Sequence, residues 1–299
     1  MSNVLEIIQA RHSERGPFDP ARPVAREDLG AILEAARWAP TPLNMQNFEI
    51  LLVDDKELLE SIERFRSDAS EAFLRESYAQ LSFSEEELLA KKTGLLASMF
   101  PPAWTDPEAW HPDSDSRSQL AFVSTWMPQT PMLLLILHDA GKRAPGSEGD
   151  ALGNIGLGCV VENMWLMSEF LGVGFQVLSA FSDPRVERQM RGLLGVPDRM
   201  KIDLACRLGY PIESTHNSVR VRRRVEAFCH HNSFGSKPPM FDEDEFLPGS
   251  EHELNRATRR VSSLGAELKM PQSKPKPYAE LRNSPVQVHD VAAGEEKPA

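Results

Sequence analysis

Cysteine is scarce: Cys159, Cys206 and Cys229 are the only three in 299 residues. Their number is odd and their spacing wide, so neither a disulfide framework nor a metal-ligand pattern can be read from them. A reducing compartment is the expectation. Long apolar runs are missing too. The longest apolar strand, 131–137, falls far short of the ~20 residues a membrane-spanning helix needs. The N-terminal MSNVLEIIQARHSERG carries an early acid and no signal-peptide core. Basic residues are outnumbered, 33 Lys and Arg against 44 Asp and Glu, for a formal net charge of −11. Such a chain repels the nucleic-acid backbone, so any anion site must be local, built from a few arginines. A soluble, cytoplasmic protein with no nucleic-acid or membrane partner is therefore expected.

Several catalytic signatures are absent as well. There is no P-loop, no H-E-x-x-H and no G-x-S-x-G elbow. Gly153, Gly156 and Gly158 carry the dinucleotide fingerprint's spacing in reverse, with no strand running into them. His230 and His231 are adjacent, point in different directions and lack partners at ligand spacing, so they read as the end of a helix. Neither a metal site nor a catalytic side-chain dyad is expected.

What is present is ordered periodicity. Residues 2–10 place Val4, Leu5, Ile7 and Ile8 at helical spacing. The segment REDLGAILEAARWAP (26–40) repeats Leu29, Ile32, Leu33 and Ala36 as an amphipathic stripe that Pro40 and Pro42 close. FEILLV (48–53), MLLLILH (132–138), VGFQVL (173–178) and KIDLACRLGYP (201–211) read as strands. Residues 56–100 are helical in character, and 101–127 form an irregular Pro- and Trp-containing stretch. The segment 150–172 is apolar around nearly its whole circumference, which predicts burial in a core or a subunit interface. Its glycines are tolerable where another backbone comes close. Ser182 or Asp183 can cap a helix starting at Pro184. From about 238 the composition turns polar and Pro-rich, too poor in apolar side chains to offset its ordering entropy.

Three clusters carry chemistry. Arg11-His12-Ser13-Glu14-Arg15 sets two guanidiniums around a hydroxyl, a donor set suited to phosphate; the alternative is a solvated helix end. Arg220-Val221-Arg222-Arg223-Arg224 is either a second wall of such a site or surface charge. Between them in character is Ala39-Pro40-Thr41-Pro42-Leu43-Asn44-Met45-Gln46-Asn47. Its prolines stiffen a loop whose amides can read the edge of a heteroaromatic ring, or simply turn a helix into a strand.

In order along the chain, RHSER, AARWAPTPLNMQNF, GCVVENMWLMSEFLGVG, RLGYP and RVRRRVEAFCHHN resemble the nitroreductase family of flavoproteins over roughly residues 3–235. Asn47-Phe48 stands where the family has Pro-Trp, and Pro42 where it has Ser or Gly. The resemblance implies an α+β fold, an antiparallel-dominated central sheet flanked by helices, and an intertwined homodimer. A flavin-binding domain would span 1–237, with an irregular insertion at about 60–127 and an extended or partly disordered tail at 238–299. It further implies that Arg11, Ser13, Arg15 and the backbone at His12 hold the phosphate of FMN, completed by Arg220 and Arg222. Thr41, Pro42, Asn44 and Gln46 would reach the ring of the FMN held mainly by the other chain. Leu178, Ser179 and Ala180, with Phe181, would offer main-chain bonds to the ring's reactive edge. The implied activity is ping-pong transfer of reducing equivalents from NADH or NADPH to an electron-poor acceptor, a nitroaromatic or a quinone. Met99, Phe100, Trp104 and Trp110 are candidate lid residues. The alternatives are a specialised flavin reaction without NAD(P)H, or a non-enzymatic anion-binding module.

Overall fold

In the computed structural model the described residues are 4–65, 80–91, 93–96, 129–146, 151–178, 181, 183–212, 221–236 and 238–239. The candidate lid residues, Ser179, Ala180, Arg220 and all of the predicted tail but 238–239 lie outside them.

The organising element is β4, Met132–Asp139, whose first seven residues are all buried. A strand buried at seven successive positions, six of them apolar, has no face for water, so it must lie inside a sheet covered on both sides. It pairs antiparallel with β1 (Phe48–Val53) on one edge and with β6 (Met200–Gly209) on the other. β6 in turn pairs antiparallel with β5 (Gly174–Leu178), giving the order β1-β4-β6-β5. The expected antiparallel sheet is thus present, and the predicted strands match to within two residues at each end. Asp203 is the extra residue of a bulge in β6, because Ile136 pairs with Leu204 and Leu137 with Ile202. Its carboxylate bonds the Nδ1 of buried His138 across the strands.

Alternate residues of β4 feed two cores. Met132, Leu134 and Ile136 pack with Ile32 and Ala36 of α2 (Arg26–Arg37) and with Leu157, Val160 and Met164 of α5 (Ala151–Leu171). Leu133, Leu135 and Leu137 pack with Leu59 and Ile62 of α3 (Lys56–Glu63) and with Val186 and Met190 of α6 (Pro184–Leu194). Each fully buried Leu or Ile contributes roughly 1.5–3 kcal/mol by transfer alone, so this one strand carries much of the fold's apolar stabilisation. Asp183 caps α6 as expected, its carboxylate accepting from the N–H groups of Arg185 and Val186 at 2.9 and 3.2 Å.

Three expectations need correction. Residues 56–100 are not helical throughout: α4 (Glu85–Lys91) is flanked by β2 (Ser82–Phe83) and β3 (Leu95–Leu96), which pair in parallel. Their sequences are too short for a period to be seen. His230 and His231 end no helix; they follow a single 3-10 turn at Val225–Ala227. Among the three α5 glycines, only Gly156 meets a backbone nearby, and Gly158 faces open space.

The apolar circumference of α5 is only partly covered. Leu152, Ile155 and Phe170 are exposed, as are Val4, Leu5 and Ile8 of α1 (Val4–Ala10). Among the described residues no helix is long and apolar enough to cross a membrane.

Candidate functional site

The RHSER segment is a stretch without regular secondary structure between α1 and the isolated bridge of Phe18 to Pro211. One stripe of α5 holds it. Glu162, Trp165 and Glu169 recur at i, i+3 and i+7, which places them on one helix face. Arg11 pairs with Glu162 (Nε to Oε1, 3.3 Å), and its guanidinium lies 4.4 Å from the centre of the Trp165 ring. The Trp165 indole N–H donates to His12 O at 2.8 Å. His12 itself sits between two carboxylates, Glu14 at 3.4 Å and Glu169 at 3.2 Å. Burial disfavours its charge, but the bonds and charges of those two acids outweigh burial and push its pKa up to about 9.

Beneath the segment lies a residue that sequence reading missed. Arg207, on interior strand β6, is completely buried. Its Nη2 donates to Gly16 O at 2.9 Å and to Glu14 O at 3.4 Å, and its Nε donates to Gln176 Oε1 at 2.9 Å. Its guanidinium carbon is 4.6 Å from the centre of the Phe18 ring. Burial pushes its pKa down to about 10, against the opposing pull of Glu14. Glu14 is also buried; its Oε1 accepts from Gly16 N at 3.1 Å, and its own N–H donates to Phe175 O at 2.9 Å. Room for this packing comes from the facing pair Gly174 and Gly209, where a Cβ would stand 2.6 and 2.7 Å from Phe18 atoms. In the sequence, Glu14 and Arg207 lie within RHSER and RLGYP, but no local pattern shows that they meet. Their contact is set by tertiary packing.

The second segment leaves α2 at Trp38 and forms a 3-10 turn at Pro42–Asn44. Leu43, Asn44 and Gln46 have φ of 49, 54 and 44°, left-handed backbone that costs a non-glycine residue about 1–2 kcal/mol. Strain of this kind persists only where the surroundings impose it. Here Thr41 Oγ1 accepts from Gln46 N at 3.1 Å, and Gln46 Nε2 donates to Asn44 Oδ1 at 3.0 Å. Buried Asn47 anchors the far end, its carbonyl accepting from Asp139 N at 3.1 Å. The side chains of Asn44 and Gln46 are exposed. Beside them is an apolar cleft of about 410 Å³, walled by Pro40–Leu43, Ala144, Pro145 and the Leu152–Cys159 face of α5.

α5 separates the two segments. Gly156 abuts the 40–42 loop and Trp165 abuts the RHSER segment. Nine residues of helix turn through about 900°, so these two positions face opposite sides, roughly 13 Å apart along the axis. Asn163, on the loop side, donates to Ala35 O at 3.0 Å and ties α5 to α2. Of the remaining predicted residues, Leu178 ends β5 with its side chain in the second core, next to Phe181. It can therefore offer a ligand only its main chain. Arg222 is exposed and donates to Val221 O at 2.8 Å.

Comparison with known proteins agrees with this architecture. A 26% identical stretch of 87 residues links the chain to a Staphylococcus epidermidis protein provisionally named an NAD(P)H nitroreductase. That match covers 29% of this chain and 39% of the relative, so the chain aligns with about two fifths of the relative's length. The solved structure of B. megaterium NfrA2 superposes with a TM-score of 0.51 at 17% identity, covering 91% of this chain and 95% of that one, a likeness of fold. The Vibrio harveyi NADPH:FMN oxidoreductase, solved with NAD+, gives a TM-score of 0.48 at 16% identity, covering 94% and 96%. The Nitroreductase family model matches residues 8–210, two thirds of the sequence and every strand of the four-stranded sheet, and this chain belongs to that family.

Proposed function

We propose that the protein is an FMN-dependent oxidoreductase that passes reducing equivalents from NADH or NADPH to an electron-poor acceptor such as a nitroaromatic or quinone. Family membership supports this reading, and one observation carries it to these residues. Within the 41–47 loop, Leu43, Asn44 and Gln46 are held in strained left-handed backbone, with the side chains of Asn44 and Gln46 outward beside an apolar cleft. That donor set fits the edge of a flavin, whose ring alternates carbonyl and N–H groups. The donor set of Arg11, Ser13 and Arg15 fits its phosphate.

When bound, FMN supplies the redox chemistry, and the protein supplies placement and electrostatics. Arg11, Ser13 and Arg15 would hold the phosphate, with Arg220 and Arg222 closing the site from the chain's later half. Thr41 would keep the turn in shape through its bond to Gln46, while Asn44 and Gln46 meet the ring edge and Pro42 packs at its border. The main chain at Leu178, Ser179 and Ala180 would bond the ring's reactive edge. No side-chain acid or base is assigned, because this chemistry does not require one of the protein.

Phosphate segment and ring-edge loop lie on opposite sides of α5. That placement supports a homodimer in which each flavin site is built from both chains, one chain's two segments serving two different flavins. The exposed apolar residues of α1 and α5 support it, since an apolar surface of this kind calls for cover. We place the protein in the cytoplasm.

The test is anaerobic titration of FMN-loaded protein with NADH and then NADPH, followed by the flavin's visible absorption. Bleaching by one nucleotide, reversed by a nitroaromatic or quinone, is the expected result. Flavin that binds but is bleached by neither would replace the general reductase with a specialised flavin reaction.

A further inference from the structure

We propose that Arg207 is a positioning residue for the phosphate segment, acting on its peptide groups from below without touching the ligand. The proposal rests on the flavin reading above. It is carried by the direction of the bonds that Arg207 and Trp165 make.

In a trans peptide the C=O and the following N–H point opposite ways. Arg207 draws Glu14 O toward the core, so the N–H of Arg15 is turned away from it. Trp165 does the same to His12 O, which turns the N–H of Ser13 away from Trp165. Between them Glu14 N points inward, to Phe175 O. The alternation leaves the N–H groups of residues 13 and 15 directed away from the core, on the segment that carries Arg11, Ser13 and Arg15. Two main-chain N–H groups on one side of the segment, beside guanidinium and hydroxyl donors, add neutral donors to a charged anion site. The third Arg207 contact, to Gly16 O at 2.9 Å, falls on the peptide preceding Pro17, which has no N–H to aim. It fixes where the segment ends.

Guanidinium chemistry suits the role. Its planar fork reaches two carbonyls and a side-chain amide at once, which a lysine ammonium cannot reproduce in the same geometry. The charge is also balanced locally. Arg207 and protonated His12 stand against Glu14 and Glu169, and a buried cation is tolerated only under such conditions.

The test compares FMN with riboflavin, which shares the ring and lacks the phosphate. Dissociation constants for both are measured on flavin-stripped, full-length protein by quenching of flavin fluorescence, for the wild type, Arg207→Gln and Arg207→Lys. Arg207→Gln is expected to weaken FMN at least tenfold while riboflavin stays within twofold, so the preference for the phosphate form shrinks. Arg207→Lys, which keeps charge and stem, should fall between. Should Arg207→Gln not fold, the ratio for Arg207→Lys decides alone. A ratio equal to the wild type's in the folded variants, with both flavins weakened together or neither, overturns the proposal and leaves Arg207 a general structural staple. A wild-type protein that binds no FMN overturns the flavin reading itself.

Discussion

Gly156 of α5 lies against Pro42: a methyl group there would stand 3.2 Å from Pro42 Cδ, with Thr41 Cα at 3.6 Å and Pro40 O at 3.7 Å. The atoms it meets belong to a proline-stiffened loop, which cannot yield as the tip of a flexible side chain would. Gly156→Ala gains about 1 kcal/mol of helix propensity and loses much of it to the displaced loop. Net stability should stay within about 1 kcal/mol of the wild type in urea unfolding, while FMN affinity falls several-fold. Gly192→Ala in α6, where none of the described residues comes within 4 Å of the added methyl, is the control and should be stabilised by up to about 1 kcal/mol. Equal FMN affinity in Gly156→Ala and wild type would separate the loop from the flavin.

His12 makes stability depend on pH. Its folded pKa, about 9, lies above the ordinary 6.5, so its contribution is complete below pH 6.5 and is lost as pH rises through 9. The full difference corresponds to at most about 3 kcal/mol. Unfolding free energies at pH 6, 7.5 and 9 should fall in that order, and His12→Gln should flatten the trend. The same slope in the variant would mean that other groups set it.

Arg11 and Arg222 come from distant parts of the chain and are assigned to one phosphate. Charge-assisted hydrogen bonds contribute about 1.5–3 kcal/mol each, so replacing both with alanine should weaken FMN at least ~100-fold. Sedimentation should show chain association unchanged. Wild-type retention of FMN in the double variant would remove these arginines from the site.

Asp183 closes the N-terminus of α6 with two backbone bonds. Asp183→Ala should cost about 1 kcal/mol in chemical unfolding, and Asp183→Ser should recover most of it. A loss below about 0.3 kcal/mol in the alanine variant would show that Pro184 starts the helix unaided.

Local pattern in the sequence determined a good deal of this protein. Strand Phe48–Val53, the buried run of β4, the α2 stripe and the Asp183-Pro184 helix start were legible because each depends on neighbours a few residues apart. The order of five short motifs was enough to indicate the family. The tertiary structure alone decided what surrounds the phosphate segment. Arg207 meets Glu14 across 193 positions of sequence, through the register of β5 on β6, and no period or motif encodes such a contact. The placement of RHSER and the 41–47 loop on opposite sides of α5 was equally hidden. Helical phase relates residues of one helix to each other, whereas packing chooses which segment lies on which face.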